Sequence, residues 1–226
     1  MIGTNNDGIR HNWVVNQLSS LPSGYKILDA GAGELQYKKY CTHLQYVSQD
    51  FNKYDGIGDN RGLQTQQWNQ TNIDIISDII NIPRDDNSFD AIMYIEVFEH
   101  IPSPIDAIKE FKRLLRPGGK LILTAPFCSL THFAPYHFYS GFNRYFYEHN
   151  LSSNGFKNIN ITARGNFFEY MAQEVRRLQS VSNKYSKCEF GEEITRLLAN
   201  LEKASINDTG SDELLCYGYM VTAERE

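Results

Sequence analysis

The stretch Lys26-Ile27-Leu28-Asp29-Ala30-Gly31-Ala32-Gly33-Glu34 restricts what this chain can fold into more than any other. Ile27 and Leu28 give a short β-favouring run, an acid ends it, and two glycines open a turn. Gly31 and Gly33 allow positive φ and let another group touch the backbone. In α/β proteins a strand that opens into such a turn holds an adenosine-containing ligand at the carboxyl ends of parallel strands.

Two cofactor classes use this arrangement. The dinucleotide pattern G-x-G-x-x-G/A asks for a small third residue, and Gln36 stands there instead. Asp29 would also set a carboxylate against a pyrophosphate, whereas it suits a ligand carrying an ammonium and a sulfonium. The charge pattern therefore favours S-adenosylmethionine over NAD.

Asp29-Ala30-Gly31-Ala32-Gly33 resembles motif I of the class I S-adenosylmethionine-dependent methyltransferases, with Leu35 where a third glycine often stands. Asp50 follows the glycines by about twenty residues, the spacing at which an acid reaches ribose hydroxyls. The resemblance implies cofactor contacts from Asp29, Gly31, Ala32 and Gly33, from Asp50 and Phe51, from Asp78 and Ile79 at the adenine, and from Glu96 and Val97. It covers residues 10–165 and includes the Arg116-Pro117-Gly118-Gly119 turn. The run from Leu63 to Tyr139 is similar to bacterial methyltransferases of surface-polysaccharide gene neighbourhoods.

The rest of the chain alternates strand and helix. Apolar spacing predicts helices over 10–21, 35–44, 104–115 and 143–153, and strands over 26–30, 45–50, 73–79, 88–96, 120–126 and 156–162. The stretch 54–72 is polar and reads as a long connection that covers the cofactor or lies idle. Two apolar stripes, Phe167 to Leu178 and Ile194 to Leu201, predict a helical pair, and Leu214 to Thr222 a last strand. This rhythm predicts an α/β fold with a doubly wound, mostly parallel seven-stranded sheet. The family adds an antiparallel last strand and a C-terminal helical insertion. One domain spans 1–226: a cofactor-holding core at 10–165, a helical insertion or cap at 166–212, and the last strand at 213–226.

A net charge of −5 argues against a duplex nucleic-acid partner. No apolar run reaches membrane-spanning length. Cys41, Cys128, Cys188 and Cys216 show no metal or disulfide spacing, so a reduced, cytoplasmic protein is expected. The sequence leaves the oligomeric state open, a homodimer included.

The stretch Phe127 to His149 follows the fifth strand, where an open α/β sheet holds its ligand. It carries His132 and His137 among eight Phe and Tyr residues from Phe133 to Tyr147. Methyl transfer to a hydroxyl needs a positioned nucleophile and a base with a pKa near the working pH. His132 and His137 are the candidate bases, His132 ahead because it lies nearer the strand, and Tyr136 would orient the acceptor. Either histidine could instead be a packing residue. Glu99 and His100 either touch the methionine end or acceptor, or cap the next turn.

No metal is expected, because no acid cluster stands beside His132 and His137 in sequence to complete a set with His100. The chain lacks the N/D-P-P-Y/F run of adenine-N6 and glutamine methylases and the Pro-Cys of cytosine-C5 enzymes. Its Glu96 to Glu99 spacing is too short for arginine methylases. The expected function is S-adenosylmethionine-dependent methylation of a small polar acceptor at a hydroxyl, a sugar or glycan precursor. The alternatives are N-methylation of a small amine and a non-catalytic cofactor-binding module.

Overall fold

The computed structural model describes residues 1–69 and 72–226. Its strands are β1 (Lys26–Ala30), β2 (Gln45–Asp50), β3 (Ile75–Ile76), β4 (Phe89–Ile95), β5 (Leu115–Pro126), β6 (Phe156–Arg164) and β7 (Gly218–Arg225). Its helices are α1 (Asn6–Ser19), α2 (Pro104–Leu114), α3 (Arg144–Ser153), α4 (Phe167–Tyr185) and α5 (Gly191–Ile206). The strands form one sheet in the order β3-β2-β1-β4-β5-β7-β6. The first five run parallel, and β7 is antiparallel to both β5 and β6. This is the α/β architecture the sequence predicts. The chain leaves β1 toward β2 and returns across it to β4, so the sheet's switch point lies between β1 and β4. A ligand crevice belongs at that place.

Alternation along each strand builds two cores. Leu28, Ile92, Tyr94, Leu121 and Leu123 face α2 and α3, where Ile108, Phe111, Tyr147 and Leu151 are fully buried. Ile27, Ala91, Met93 and Ile122 face the other way and pack on Val14 and Leu18 of α1. The continuous apolar run of β4 is thus used on both faces, as a central parallel strand requires.

Several boundaries differ from expectation. α1 starts at Asn6, ahead of Arg10. The helix expected over 35–44 is absent: Leu35 has φ 60, and the stretch forms turns with one 3-10 turn at Lys38–Tyr40. A left-handed residue at the start blocks helix propagation, so the spacing of Leu35, Tyr40 and Leu44 misleads. β3 keeps only Ile75 and Ile76, because it pairs with the last two residues of β2 alone. β5 begins at Leu115 opposite Phe89, and the Arg116–Gly119 turn is a bulge before Lys120 pairs with Ala91. The last strand starts at Gly218; Leu214, at the expected start, is exposed.

α4 and α5 lie between β6 and β7 in the chain. Asn166 starts α4 through a capping box: its side chain accepts from Glu169 N at 3.0 Å, and the Glu169 carboxylate accepts from Asn166 N at 3.1 Å. Asn166→Ala is expected to cost about 1 kcal/mol of stability, read as a lower urea midpoint at unchanged m.

Candidate active site

The glycine turn after β1 is held by its neighbour strand. Gly31 N and Ala32 N both donate to the Gln49 carbonyl at 2.9 Å, and Gly33 N donates to Asp50 Oδ2 at 2.9 Å. Gly31 and Gly33 have φ of 72° and 51°. A Cβ on Gly31 would stand 2.6 Å from Val97 Cγ2, and one on Gly33 would stand 2.9 Å from the Trp68 ring. Only glycine fits either place. Asp29 itself turns away from the loop. Its carboxyl is buried and accepts from Tyr46 Oη at 2.5 Å. Burial pushes it up to about 7, with the charge of Asp50 adding to the effect and the Tyr46 bond opposing it.

An acid held ionised at the strand tips is Glu96. It leaves β4 with φ 54, a strained conformation for a residue with a side chain. Its Oε2 meets Arg10 Nη1 of α1 at 3.0 Å and Arg164 Nη2 at the end of β6 at 3.2 Å. Burial opposes ionisation, but Arg164 and Arg10 outweigh it and hold the carboxyl well below its usual range. Glu96 Oε1, Arg10 Nε, and Arg164 Nε and Nη1 are buried without a hydrogen-bond partner among the described residues. Two cations and one anion with spare polar atoms match a zwitterionic amino-acid tail.

One turn further, a 3-10 turn at Phe98–His100 carries Glu99 and His100. Glu99 is 1% exposed, and its Oε1 lies 3.7 Å from His100 Nε2 and 3.9 Å from His132 Nε2. Burial, reinforced by the charge of Glu96, pushes Glu99 above the usual carboxylate range. Burial and the neighbouring His132 push His100 down to about 3. Burial also lowers His132, and burial together with His132 lowers His137. All three histidines therefore stay neutral at neutral pH.

The loop after β5 is hung on this turn. Phe138 N donates to the Glu99 carbonyl at 2.8 Å, and the Tyr139 hydroxyl donates to Pro102 O at 3.0 Å. His100 stacks on Phe133 with centroids 5.0 Å apart, and Phe133 stacks on Tyr54 at 4.5 Å. Trp68 closes that aromatic group. Leu63 N donates to Thr131 O, and Phe133 N donates to Leu63 O. The long connection after β2 thus packs against the candidate reaction loop and, through Trp68, against Gly33.

Of the residues singled out in the sequence, Gly31, Ala32, Gly33 and Asp50 come together at the β1 and β2 tips, and Val97 packs on Gly31. Phe51 meets the Tyr136 ring edge-on at 4.9 Å. Asp78 is exposed, accepting from Ile80 N at 3.2 Å, and Ile79 is buried. His132 joins Glu99 and His100; His137 is next to it, with centroids 4.8 Å apart and Nε2 3.2 Å from Ser129 Oγ. Arg164, Tyr46, Gln49 and Trp68 were not expected at the site. The four cysteines are unpaired. Two open surface hollows, one lined by Met1, Thr4, Glu169 and Glu202 and one by Phe168, Asn207 and Glu213, share no residue with this site. No helix among the described residues is long and apolar enough to cross a membrane.

Residues 28–123 match the family model of a methyltransferase domain. A human protein, the probable tRNA methyltransferase 9B, is 34% identical over 104 residues, 44% of this chain and 21% of its own length. The chain thus spans about a fifth of that relative. Among solved structures, a SAM-dependent methyltransferase from Archaeoglobus fulgidus aligns with a TM-score of 0.57 at 15% identity, covering 97% of each chain. The [4+2]-cyclase SpnF aligns with a TM-score of 0.58 at 18% identity, over 96% of this chain and 80% of its own. Residues 28–123 are thus similar to a methyltransferase domain, and the fold is the one shared by the S-adenosylmethionine-dependent methyltransferase from Archaeoglobus fulgidus.

The buried Asp29 gives a signed test. Its folded pKa of about 7 stands above the ordinary 3.8, so between these values the folded state holds the proton that the unfolded state has released. Stability contributed by this group is full at acid pH and is lost as pH rises toward and through 7. Asp29→Asn should stabilise the ligand-free chain at pH 8 by about 1–3 kcal/mol and change it little at pH 4. Urea unfolding at the two pH values measures this.

Proposed function

We propose that the chain transfers a methyl group from S-adenosylmethionine to a hydroxyl of a small polar acceptor, such as a sugar or glycan precursor. One observation carries the reading: the set of opposed charges at Arg10, Glu96 and Arg164 stands one turn from a cluster of buried lone-pair donors, Glu99, His100 and His132. The arginines suit the carboxylate of a methionine tail and Glu96 its ammonium. Asp50, at the tip of β2 and bonded to the glycine turn through Gly33 N, suits the ribose hydroxyls by its spacing from the glycines. S-adenosylmethionine would supply an electrophilic methyl group there, the C–S electron pair returning to sulfur as the acceptor oxygen takes the carbon.

The chain's own task is to place the acceptor oxygen in line and take its proton. A sulfonium needs no further activation, so the lone-pair donors beside the tail site favour an acceptor that stays protonated without their help, as a hydroxyl does. Tyr136 and the aromatic rings around Phe133 offer flat faces to a sugar ring. Arg177 of α4 is close enough to His132 to disfavour its protonated form, which supports reading 166–212 as a cap over the acceptor side of a single 1–226 domain. The net charge of −5 supports a small acceptor over a tRNA.

Calorimetry with S-adenosylmethionine and S-adenosylhomocysteine should give one site per chain, weakened at least about ten-fold by Arg10→Ala. Absence of heat with both compounds would sink the reading. In a screen of hydroxylated and amine acceptors, His132→Ala should lower turnover by about 10²–10⁴ with donor affinity retained. Undiminished methylation of an amine in that variant would replace the hydroxyl reading by N-methylation.

A further inference from the structure

The Glu99–His100–His132 cluster sets two imidazoles against one carboxyl group. His100 Nδ1 lies 2.7 Å from the Tyr136 carbonyl, and His132 Nδ1 lies 2.8 Å from the Leu130 carbonyl. A carbonyl only accepts, so each ring carries its hydrogen on Nδ1. Each Nε2 then offers a lone pair, and both point at a carboxylate oxygen. Glu99 Oε2 is also buried without a partner among the described residues. Two imidazole lone pairs and a carboxyl group thus face one another with no hydrogen bond between them.

A shared proton would draw one pair to about 2.7–3.0 Å. The two separations of 3.7 and 3.9 Å are longer than any hydrogen bond. They come near the spacing of donors around one small cation: ligand atoms at ~2.1 Å from an ion and tetrahedrally disposed stand ~3.4 Å apart. The three donor atoms lie within 4.8 Å of one another. The Nδ1 bonds to Tyr136 and Leu130 carbonyls are the outer contacts that orient ligating imidazoles. They come from the same loop that Glu99's own carbonyl anchors through Phe138 N.

We infer that Glu99 Oε1, His100 Nε2 and His132 Nε2 form a binding site for one divalent transition-metal ion. Two neutral imidazoles and one carboxylate select zinc, manganese, cobalt or iron over magnesium and calcium, which prefer all-oxygen sets. Three protein ligands leave a position open for water or an acceptor hydroxyl. Such a site would replace the expectation of no metal. The acid that completes it is Glu99, which lies next to His100 in sequence but 33 residues before His132. The catalytic use of the ion, binding an acceptor hydroxyl and lowering its pKa, rests on the methyl-transfer reading.

The test is titration of the EDTA-stripped chain with Mn²⁺, followed by loss of the free-ion EPR signal, and with Co²⁺, followed by visible absorption. One equivalent should bind per chain. Glu99→Gln and His132→Ala should each weaken binding at least about ten-fold, while His149→Ala on the exposed face of α3 leaves it unchanged. Absence of saturable binding, or equal binding in both cluster variants, overturns the inference. A second readout needs no variant: substoichiometric Mn²⁺ should broaden the ring signals of His100, His132 and His137 before those of His11, His43 and His149. Uniform broadening of all six would equally overturn it. Ion titration requires no methyl donor and donor calorimetry requires no ion, so failure of one leaves the other standing.

Discussion

The strand tips are organised around one carboxylate. Glu96 sits where β4 ends, and its ion pairs reach Arg10 near the chain's start and Arg164 at the end of β6. Arg164 is 1% exposed and Glu96 and Arg10 are partly buried, so the pairs are largely withdrawn from water. Such pairs add little net stability, since desolvation offsets the attraction, yet stranding one partner costs about 3–5 kcal/mol. Their consequence is arrangement. Three segments remote in sequence have to meet at the β1–β4 crevice. Glu96 must adopt φ 54 to do so, and that turn of the backbone sets Val97 over Gly31 and sends Glu99 inward.

That dependence explains what could be read from the sequence and what could not. Elements whose signal is local were legible: the β1 turn, the apolar run of β4, the start of α2 at Pro104, and the helix from 143, where the structure shows Asn143 accepting from Phe146 N at 3.1 Å. The helix expected at 35–44 failed because the glycine turn continues through Leu35, and a single left-handed residue outweighs a weak apolar spacing. β3 failed because seven residues of strand-like sequence had only two partners on β2. Asp50 and the glycines, singled out from their spacing, come together at the β1 and β2 tips. Arg164 was not singled out, since an arginine ending an alternating edge-like strand looks solvated until its anion is known.

Asp29 shows a different limit. The sequence argument needed a charged acid at the tip of β1, and the residue is there, but its charge is turned into Tyr46 and disfavoured by burial. Glu96, at the end of β4, is the acid that two arginines keep ionised. The fold alone would not decide between these roles, nor between activities. A cyclase shares this backbone about as closely as a methyltransferase does. Function has to be argued from side chains at the crevice.

Those side chains also constrain one another. If His132 donates its Nε2 lone pair to an ion, the same lone pair cannot accept a proton from an acceptor, so base and ligand are exclusive roles for one nitrogen. His100 is tied in the same way, and Glu99 lies between them. The nearest imidazole outside the triad is His137, whose Nε2 faces Ser129 Oγ and whose ring is 4.8 Å from that of His132. A hydroxyl held by the ion would already ionise closer to neutral pH, so the residue receiving its proton could be weakly basic. Burial lowers His137 below the ordinary histidine value, which is compatible with that lesser demand and poorly suited to deprotonating a free alcohol unaided. With an ion on Glu99, His100 and His132, His137 would be the ring left to receive the proton, and the turn and the loop that carry these four residues are tied together at the Glu99 carbonyl.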